Sequence, residues 1–474
     1  MKKPISIWIA LSPILFLIAL LVLNGFIFGS ESTEGANQIA LLLAGSLCIS
    51  ISIKNGETWN KLLSGIKDSI SDALPALMIL LLIGSLTGTW LISGIVPAMI
   101  YYGLQIVNPT YFLIGSCIVS AIISLATGSS WSTIATLGIA LIGIGEALMI
   151  SNAMVAGAVI SGAYFGDKMS PLSDTTNLAP TMAGTDLFTH IKYMAFTTFP
   201  SILISLIIFL FLGFNLESKT TANEINGILN ALETKFFISP ILFIVPISVI
   251  FLIIKKTPTI PTLFLGTLFG GLVAVIFQEN IIYDLGNHQN YFYSAFMSLI
   301  DSMSREISIT TSNEMINNLL HSGGMYGMLN TVWLILCAMC FGGSMQASGF
   351  LDSLSKTILK LATSTTSLIS STAGTCIFFN LTASDQYLSI IVPGKMFSKA
   401  YQKKGLAPEN LSRTLEDSGT VTSVLIPWNT CGATQSSILG VATLSYLPFC
   451  FFNIISPVMT ILFAIIRIKI KKIC

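Results

Sequence analysis

Between Gly162 and Ala179 the chain reads GAYFGDKMSPLSDTTNLA, which sets two carboxylates, Asp167 and Asp174, and one ammonium, Lys168, among hydroxyl residues inside a long apolar region. At bilayer depth a carboxylate costs about 2.5–3.5 kcal/mol on insertion scales, so acids kept there point to ion or proton handling. Lys168 directly follows Asp167, and the two also fit a structural ion pair. Asp174 stands in SDTT, among the residue types that cap helices. A cap and an ion ligand are compatible roles, because a broken membrane helix frees carbonyls that coordinate sodium. Two further acids fall in similar interruptions, Asp385 in NLTASDQ and Asp417 in EDSGTVTSVLIPWNT. Beside them stand Thr127, Ser129, Ser130, Ser173 and Thr175 in the first half of the chain, and Asn380, Thr382, Ser384 and Asn429 in the second. Hard cations prefer such oxygen donors. A buried carboxylate that takes either Na+ or a proton is already an exchanger, since burial raises its proton affinity and a bound cation lowers it. Trp131 and Trp428 flank the interruptions and are expected to wall the cavity.

The elements that must position these groups follow from composition. Of 474 residues, 53% are hydrophobic and 9% charged, against about 25% charged in soluble domains, so the chain is a polytopic membrane protein embedded in a lipid bilayer. A net charge of +1, with lysines gathered at segment ends, gives no patch for nucleic acid. Lys2 and Lys3 precede an apolar run that begins as a secretory signal does, but residues 5–28 are long enough to span and show no small-residue cleavage site. Cys337 and Cys340 form a CxxC inside LILCAMCFGG, which reads as core packing. His190, His288 and His321 lie at segment ends and read as interfacial or structural. HExxH, GxSxG and phosphate-loop spacings are absent, which argues against an enzyme and against a resident cofactor.

The fold class expected is an all-α polytopic membrane protein of two inverted-topology repeats with re-entrant hairpins and discontinuous helices. Residues 1–54 read as a scaffold helix pair, 55–214 as the first repeat, 215–235 as a polar linker loop, 236–278 as a second scaffold pair and 279–474 as the second repeat. Within the first repeat, 55–73 reads as an amphipathic interface helix and 74–94 as a span broken near Gly84 and Gly88. Residues 109–146 read as a hairpin with its tip at Gly128 to Ser130, and 149–182 as a broken span. In the second repeat 364–404 forms the hairpin, 408–434 the broken span and 443–469 one final helix. Lysines in short loops place both termini on the cytoplasmic side. A constant offset of 255 lays Thr127 on Thr382, Ser129 on Ser384, Thr175 on Thr430 and Asp174 on Asn429. Such alignment of polar breaks is the signature of inverted repeats whose hairpin tips and broken helices meet near the midplane.

GDKMSPLSDTTNLA at Gly166 to Ala179, ATGSSWST at Ala126 to Thr133, PALMILLLIGSLTGTW at Pro75 to Trp90, CAMCFGGSMQASGFL at Cys337 to Leu351 and DQYLSIIVPG at Asp385 to Gly394 resemble the NhaC family of sodium/proton antiporters. The resemblance runs from Trp59 to about Ala442. It implies a secondary transporter in the cytoplasmic membrane, with sodium and protons as cargo, a scaffold domain, a mobile transport domain, a homodimer and elevator motion. It also implies a second possibility, since the family includes exchangers that move sodium with small organic acids such as malate and lactate, and similar proteins handle amino acids. Asp167 and Asp174 are the expected carriers. Arg305, Arg413 and Arg467 are expected in or near water, leaving no intramembrane guanidinium to clamp a carboxylate and favouring a cation alone.

Overall fold

Backbone buried in hydrocarbon must bond to itself, and the computed structural model satisfies it almost wholly with helices. It describes residues 6–28, 34–106, 108–216, 222–317, 320–360 and 363–473, so Lys2 and Lys3 lie outside the described residues. Among these, eight helices are long and apolar enough to cross a membrane, or ten if two bent pairs each count as one span. The chain is therefore a multi-pass membrane protein.

Helices α1 (Ile7–Phe28) and α2 (Ala36–Lys54) pack as a pair. The next helix, α3 (Trp59–Ile92), corrects the expected division at residue 73 and the expected break: it runs 34 residues without interruption. Its glycines serve close approach instead. A Cβ on Gly84 would lie 2.3 Å from the Gly324 carbonyl oxygen, and one on Gly88 only 1.8 Å from that of Ser302. After α4 (Ile95–Ile106), α5 (Pro109–Thr127) is reversed at Gly128 into α6 (Ser130–Thr133), which continues through a π-helical turn, Ile134–Gly138, into α7 (Ile139–Ala147). A Cβ on Gly145 would lie 3.0 Å from the Phe112 ring, so the base of one limb meets the base of the other and the pair is a hairpin.

The first broken span is α8 (Asn152–Met169) and α9 (Asp174–Ala183). Gly162 and Gly166, one turn apart, let α8 press on α5 until their added Cβ atoms would sit 2.0 and 2.3 Å from the carbonyls of Cys117 and Ala121. Small residues of this kind are how membrane helices gain contact without a hydrophobic drive. Then come α10 (Leu187–Asn215) and α11 (Ala222–Lys235). The latter corrects the expected loop at 215–235: Ile228, Ala231 and Leu232 sit one turn or less apart and bury a stripe that holds the segment helical.

Helices α12 (Ile244–Ile254) and α13 (Thr259–Phe277) turn at Lys255 and Lys256 as expected. The polar stretch that follows folds as α14 (Glu279–Gly286), α15 (Tyr291–Ser304), a two-residue strand pair β1 (Ile307–Ser308) and β2 (His321–Ser322) around α16 (Glu314–Asn317), and α17 (Gly324–Gly327). Beyond α18 (Leu329–Ala347) and α19 (Phe350–Lys360), the second hairpin is α20 (Thr365–Thr382) and α21 (Leu388–Lys403). The second broken span is α22 (Pro408–Leu415), a π-helical turn Glu416–Thr420, and α23 (Thr430–Leu439). The expected single final helix is instead α24 (Thr443–Tyr446) with a short 3-10 turn and α25 (Phe451–Ile465), bent by 59°.

Each distal half-helix leans on elements of the other half of the chain. Ala179 and Ala183 of α9 share a core with Ile390 and Phe397 of α21 and Leu411 of α22. Leu439 of α23 fills the space over Gly138 in the first hairpin.

Candidate ion site at the two helix breaks

The first hairpin tip is built to hold an acid. Gly128 ends α5 with φ 69°, and a Cβ there would fall 2.6 Å from Leu172 and 2.9 Å from the Ser173 amide, so only glycine lets the tip touch the break between α8 and α9. Ser129 caps α6 by accepting from the Ser132 amide at 3.1 Å. Ser130 then donates its amide (3.1 Å) and hydroxyl (2.7 Å) to Asp167 Oδ2, placing the buried carboxylate at the positive end of the second limb. On the other side of the break Ser173 caps α9, accepting from Thr176 N at 3.4 Å and meeting the Thr175 hydroxyl at 3.2 Å. Thr176 Oγ1 donates to the carbonyls of Asp167 (3.3 Å) and Lys168 (3.0 Å). Thr127 Oγ1 closes on the tip itself, 3.4 Å from both the Ser124 carbonyl and Thr133 Oγ1. Asp174 does not cap the helix and is not buried: it is the first residue of α9, with its side chain exposed.

The second hairpin is stitched to its break by amides. Asn380 donates to the Gly419 carbonyl (2.7 Å) and to Thr422 Oγ1 (3.0 Å). Asn429 donates to the Asn380 carbonyl (3.1 Å) while its Oδ1 accepts from Cys431 N (3.0 Å), capping α23. Ser384 sits at φ 58°, and its carbonyl accepts from Thr430 N at 3.0 Å. Asp385, buried, accepts from Leu388 N at 2.9 Å, and Thr382 Oγ1 bonds back to the Phe378 carbonyl at 2.8 Å. Trp428 is half-buried and donates to the Leu381 carbonyl at 2.8 Å; Trp131 is half-buried among apolar neighbours.

The caps also correct the register. Both α9 and α23 have ten residues, start from a capping side chain and end on a left-handed glycine, Gly184 or Gly440. That lays Ser173 on Asn429, one residue away from the constant offset, and Asp174 on Thr430.

Between the halves lies a buried ion pair that adjacency in sequence did not suggest. Lys168 bonds to Asp417, not to Asp167, and donates to Ser456 Oγ at 2.9 Å. Asp417 also accepts from Thr197 Oγ1 at 2.8 Å and from Thr460. Asp167 is thus left with hydroxyl and amide donors and no cationic side chain in salt-bridge contact among the described residues. Tyr387, 46% exposed at the second tip, lies within electrostatic reach of Asp167, Asp174 and Asp385. Gln386 Oε1 adds acceptance from Cys431 Sγ (2.6 Å) and Ser423 Oγ (3.4 Å).

Two buried charges escaped the sequence reading. Arg413, expected near water, is fully buried; it donates to the Lys469 carbonyl at 3.2 Å, stacks 4.7 Å from the Tyr193 ring centroid, and leaves Nε and Nη2 without a partner among the described residues. Glu416, beside Asp417, is fully buried with neither carboxyl oxygen hydrogen-bonded among the described residues. The visible signal was its place in EDSGT, a break already recognised as acidic. No group of three or more His, Cys, Asp or Glu side chains fit to hold a metal occurs among the described residues. What the tips offer is hydroxyl, carbonyl and single carboxylate oxygens, a donor set for an alkali cation.

A family model described as the Na+/H+ antiporter family matches residues 162–468. The Na(+)/H(+) antiporter NhaC of Alkalihalophilus pseudofirmus is 40% identical over 414 residues, covering 87% of either chain. NhaC of Bacillus subtilis is 32% identical over 467 residues, 98% of this chain and 99% of its own. The malate-2H(+)/Na(+)-lactate antiporter of the same organism is 35% identical over 427 residues, 90% of this chain and 88% of its own.

Proposed function

The chain belongs to the Na+/H+ antiporter family, and from that premise we propose that it is a secondary active transporter exchanging Na+ for protons by alternating access at the two helix breaks. The observation that carries the site is Asp167: buried, held by Ser130 at the first hairpin tip, and relieved of a lysine partner because Lys168 is engaged by Asp417. A carboxylate in that setting takes Na+ or a proton but not both, and competition for one negative group couples the two fluxes. Ser129, Ser130, Ser173, Thr175 and Thr127 supply first-half oxygens, Asn380, Thr382, Ser384, Asp385 and Asn429 the second-half ones. Asp174 stands at the mouth, where its exposed charge draws cations towards Asp167. Asp417 acts through its tie to Lys168.

Exposed lysines at Lys54, Lys255, Lys256, Lys403 and Lys404 support a topology with these turns and both termini on the cytoplasmic face of the cell membrane. The series hairpin then broken helix, repeated in α5–α9 and α20–α23, supports two inverted repeats that rock or slide against a scaffold, within a homodimer. In proteoliposomes with an internal pH dye, an outward sodium gradient should acidify the lumen, and Asp167→Asn should reduce that signal to the level of empty vesicles. An undiminished signal in Asp167→Asn would remove Asp167 from the site.

A second reading gains from Arg413. A buried guanidinium with two unpartnered nitrogens, one turn from the break, suits a small carboxylate, and one relative is named for malate and lactate exchange. Labelled malate and lactate, offered with and without a sodium gradient, decide it: uptake that collapses in Arg413→Lys supports an organic-acid cargo, and its absence leaves the cation alone.

A further inference from the structure

We propose that Glu416 is a second exchanging carboxyl of this transporter, loading and releasing a proton and pairing, when ionised, with Arg413 on a polar stripe of the second broken helix. The inference rests on the antiport reading above.

The stripe is visible in the spacing. Glu409, Arg413, Glu416 and Thr420 follow one another by four, three and four residues, which is one face of α22 and the turn that continues it. Each is buried, and each carries at least one polar atom without a hydrogen bond among the described residues: Glu409 Oε2, Arg413 Nε and Nη2, both Glu416 oxygens, and Thr420 Oγ1. Thr420 faces the Glu416 carboxyl without reaching hydrogen-bond geometry. Buried polar atoms are nearly always satisfied, so a row of exceptions along one face marks groups that change partners. The row begins at the surface, where Lys471 Nζ holds Glu409 Oε1 at 2.5 Å with the lysine half exposed, and runs through Glu416 to Thr420 at the end of the π-helical turn.

The charges around Glu416 define its two states. Lys168 and Asp167 of α8 face it, but Lys168 is already committed to Asp417. Helix α20 presents Cys376, α10 places His190 beside the Lys168–Asp417 pair, and α25 contributes only the neutral Asn453, Ser456 and Thr460. The one charged residue of α9 is Asp174, and the lysines Lys395 and Lys399 of α21 point outward. Arg413 is therefore the buried cation with no acidic partner among the described residues. In the arrangement observed it rests on the Tyr193 ring and the Lys469 carbonyl, and Glu416 stands alone, which a buried carboxyl does only when neutral. When Na+ settles on Asp167, the proton on one Glu416 oxygen passes to water as hydronium, the bonding pair stays on the carboxylate, and Arg413, one turn away on the same face, turns from Tyr193 to neutralise it. Reprotonation reverses the step. Two protons then leave for each sodium that binds, one from Asp167 and one from Glu416.

The test counts protons. Purified protein in weakly buffered detergent solution receives NaCl, with a pH dye reading release and radioactive sodium reading binding on the same sample. Wild type should release two protons per sodium bound, and Glu416→Gln should bind sodium and release one. Release unchanged in Glu416→Gln overturns the proposal. Should that variant fail to elute as a single species, Glu416→Asp decides: an intact count with a displaced pH midpoint supports it, an unmoved midpoint overturns it. Absence of sodium binding by wild type overturns the antiport reading itself, a result distinct from either.

Discussion

The two hairpin tips solve the same structural problem with different chemistry. Both close on the break of the next helix, and both leave a capped ten-residue half-helix beyond it. At the first tip the junction is an acid, Asp167, gripped by Ser130; at the second it is the neutral amide pair Asn380 and Asn429. The second tip keeps an acid of its own, Asp385, which accepts from the Leu388 amide, and the second broken helix holds two more in Glu416 and Asp417, where one acid binds Lys168 and the other has no hydrogen bond among the described residues. The first junction turns on a carboxylate and the second on an amide-to-amide bond, so under the proposed mechanism the cation is expected to load at the first.

If that contrast is right, the largest loss comes from the first tip. Asp167→Asn should abolish sodium-dependent proton movement in vesicles, whereas Asn429→Asp, which puts an acid at the second junction, should not rescue it. Next in size is the tie between the halves. Lys168→Met or Asp417→Asn alone leaves one buried charge uncompensated and should lower stability by about 3–5 kcal/mol, while the double change Lys168→Met with Asp417→Leu should recover most of it. Thermal unfolding in detergent reads both; equal losses in the single and double variants would mean the pair is not what joins the halves. Asn429→Ala removes a cap and its bridge to Asn380, and should cost about 1 kcal/mol with transport slowed but still sodium-dependent. Smallest is Asp174→Asn at the exposed mouth, which should raise the sodium concentration for half-maximal flux without changing the maximal rate; a fall in maximal rate instead would place Asp174 among the carriers.

Much of this was legible in the chain itself. Gly128 with its flanking hydroxyls, and SPLSDTT after an apolar run, announce a tip and a break because a glycine suits the left-handed turn that ends one helix and a hydroxyl cluster suits the cap that starts the next. The partner of Lys168 was not legible, since 249 residues separate it from Asp417 and Asp167 is adjacent. Nor was the shift of register that sets Asn429 on Ser173, because only the capping hydrogen bonds mark where each half-helix begins. Gly84 and Gly88 look like breaks for the same reason that they permit carbonyl contact: both uses need only the missing side chain. Arg413 looked interfacial because its neighbours are polar, yet those neighbours, Asn410, Ser412 and Thr414, are themselves buried.

Sodium binding to the purified protein across a pH series, for wild type and Asp167→Asn, tests the central claim most directly. The account predicts wild-type affinity that weakens steadily as protons compete for Asp167, and no measurable binding in the variant. Sodium bound by Asp167→Asn with wild-type affinity and the same pH dependence would contradict it.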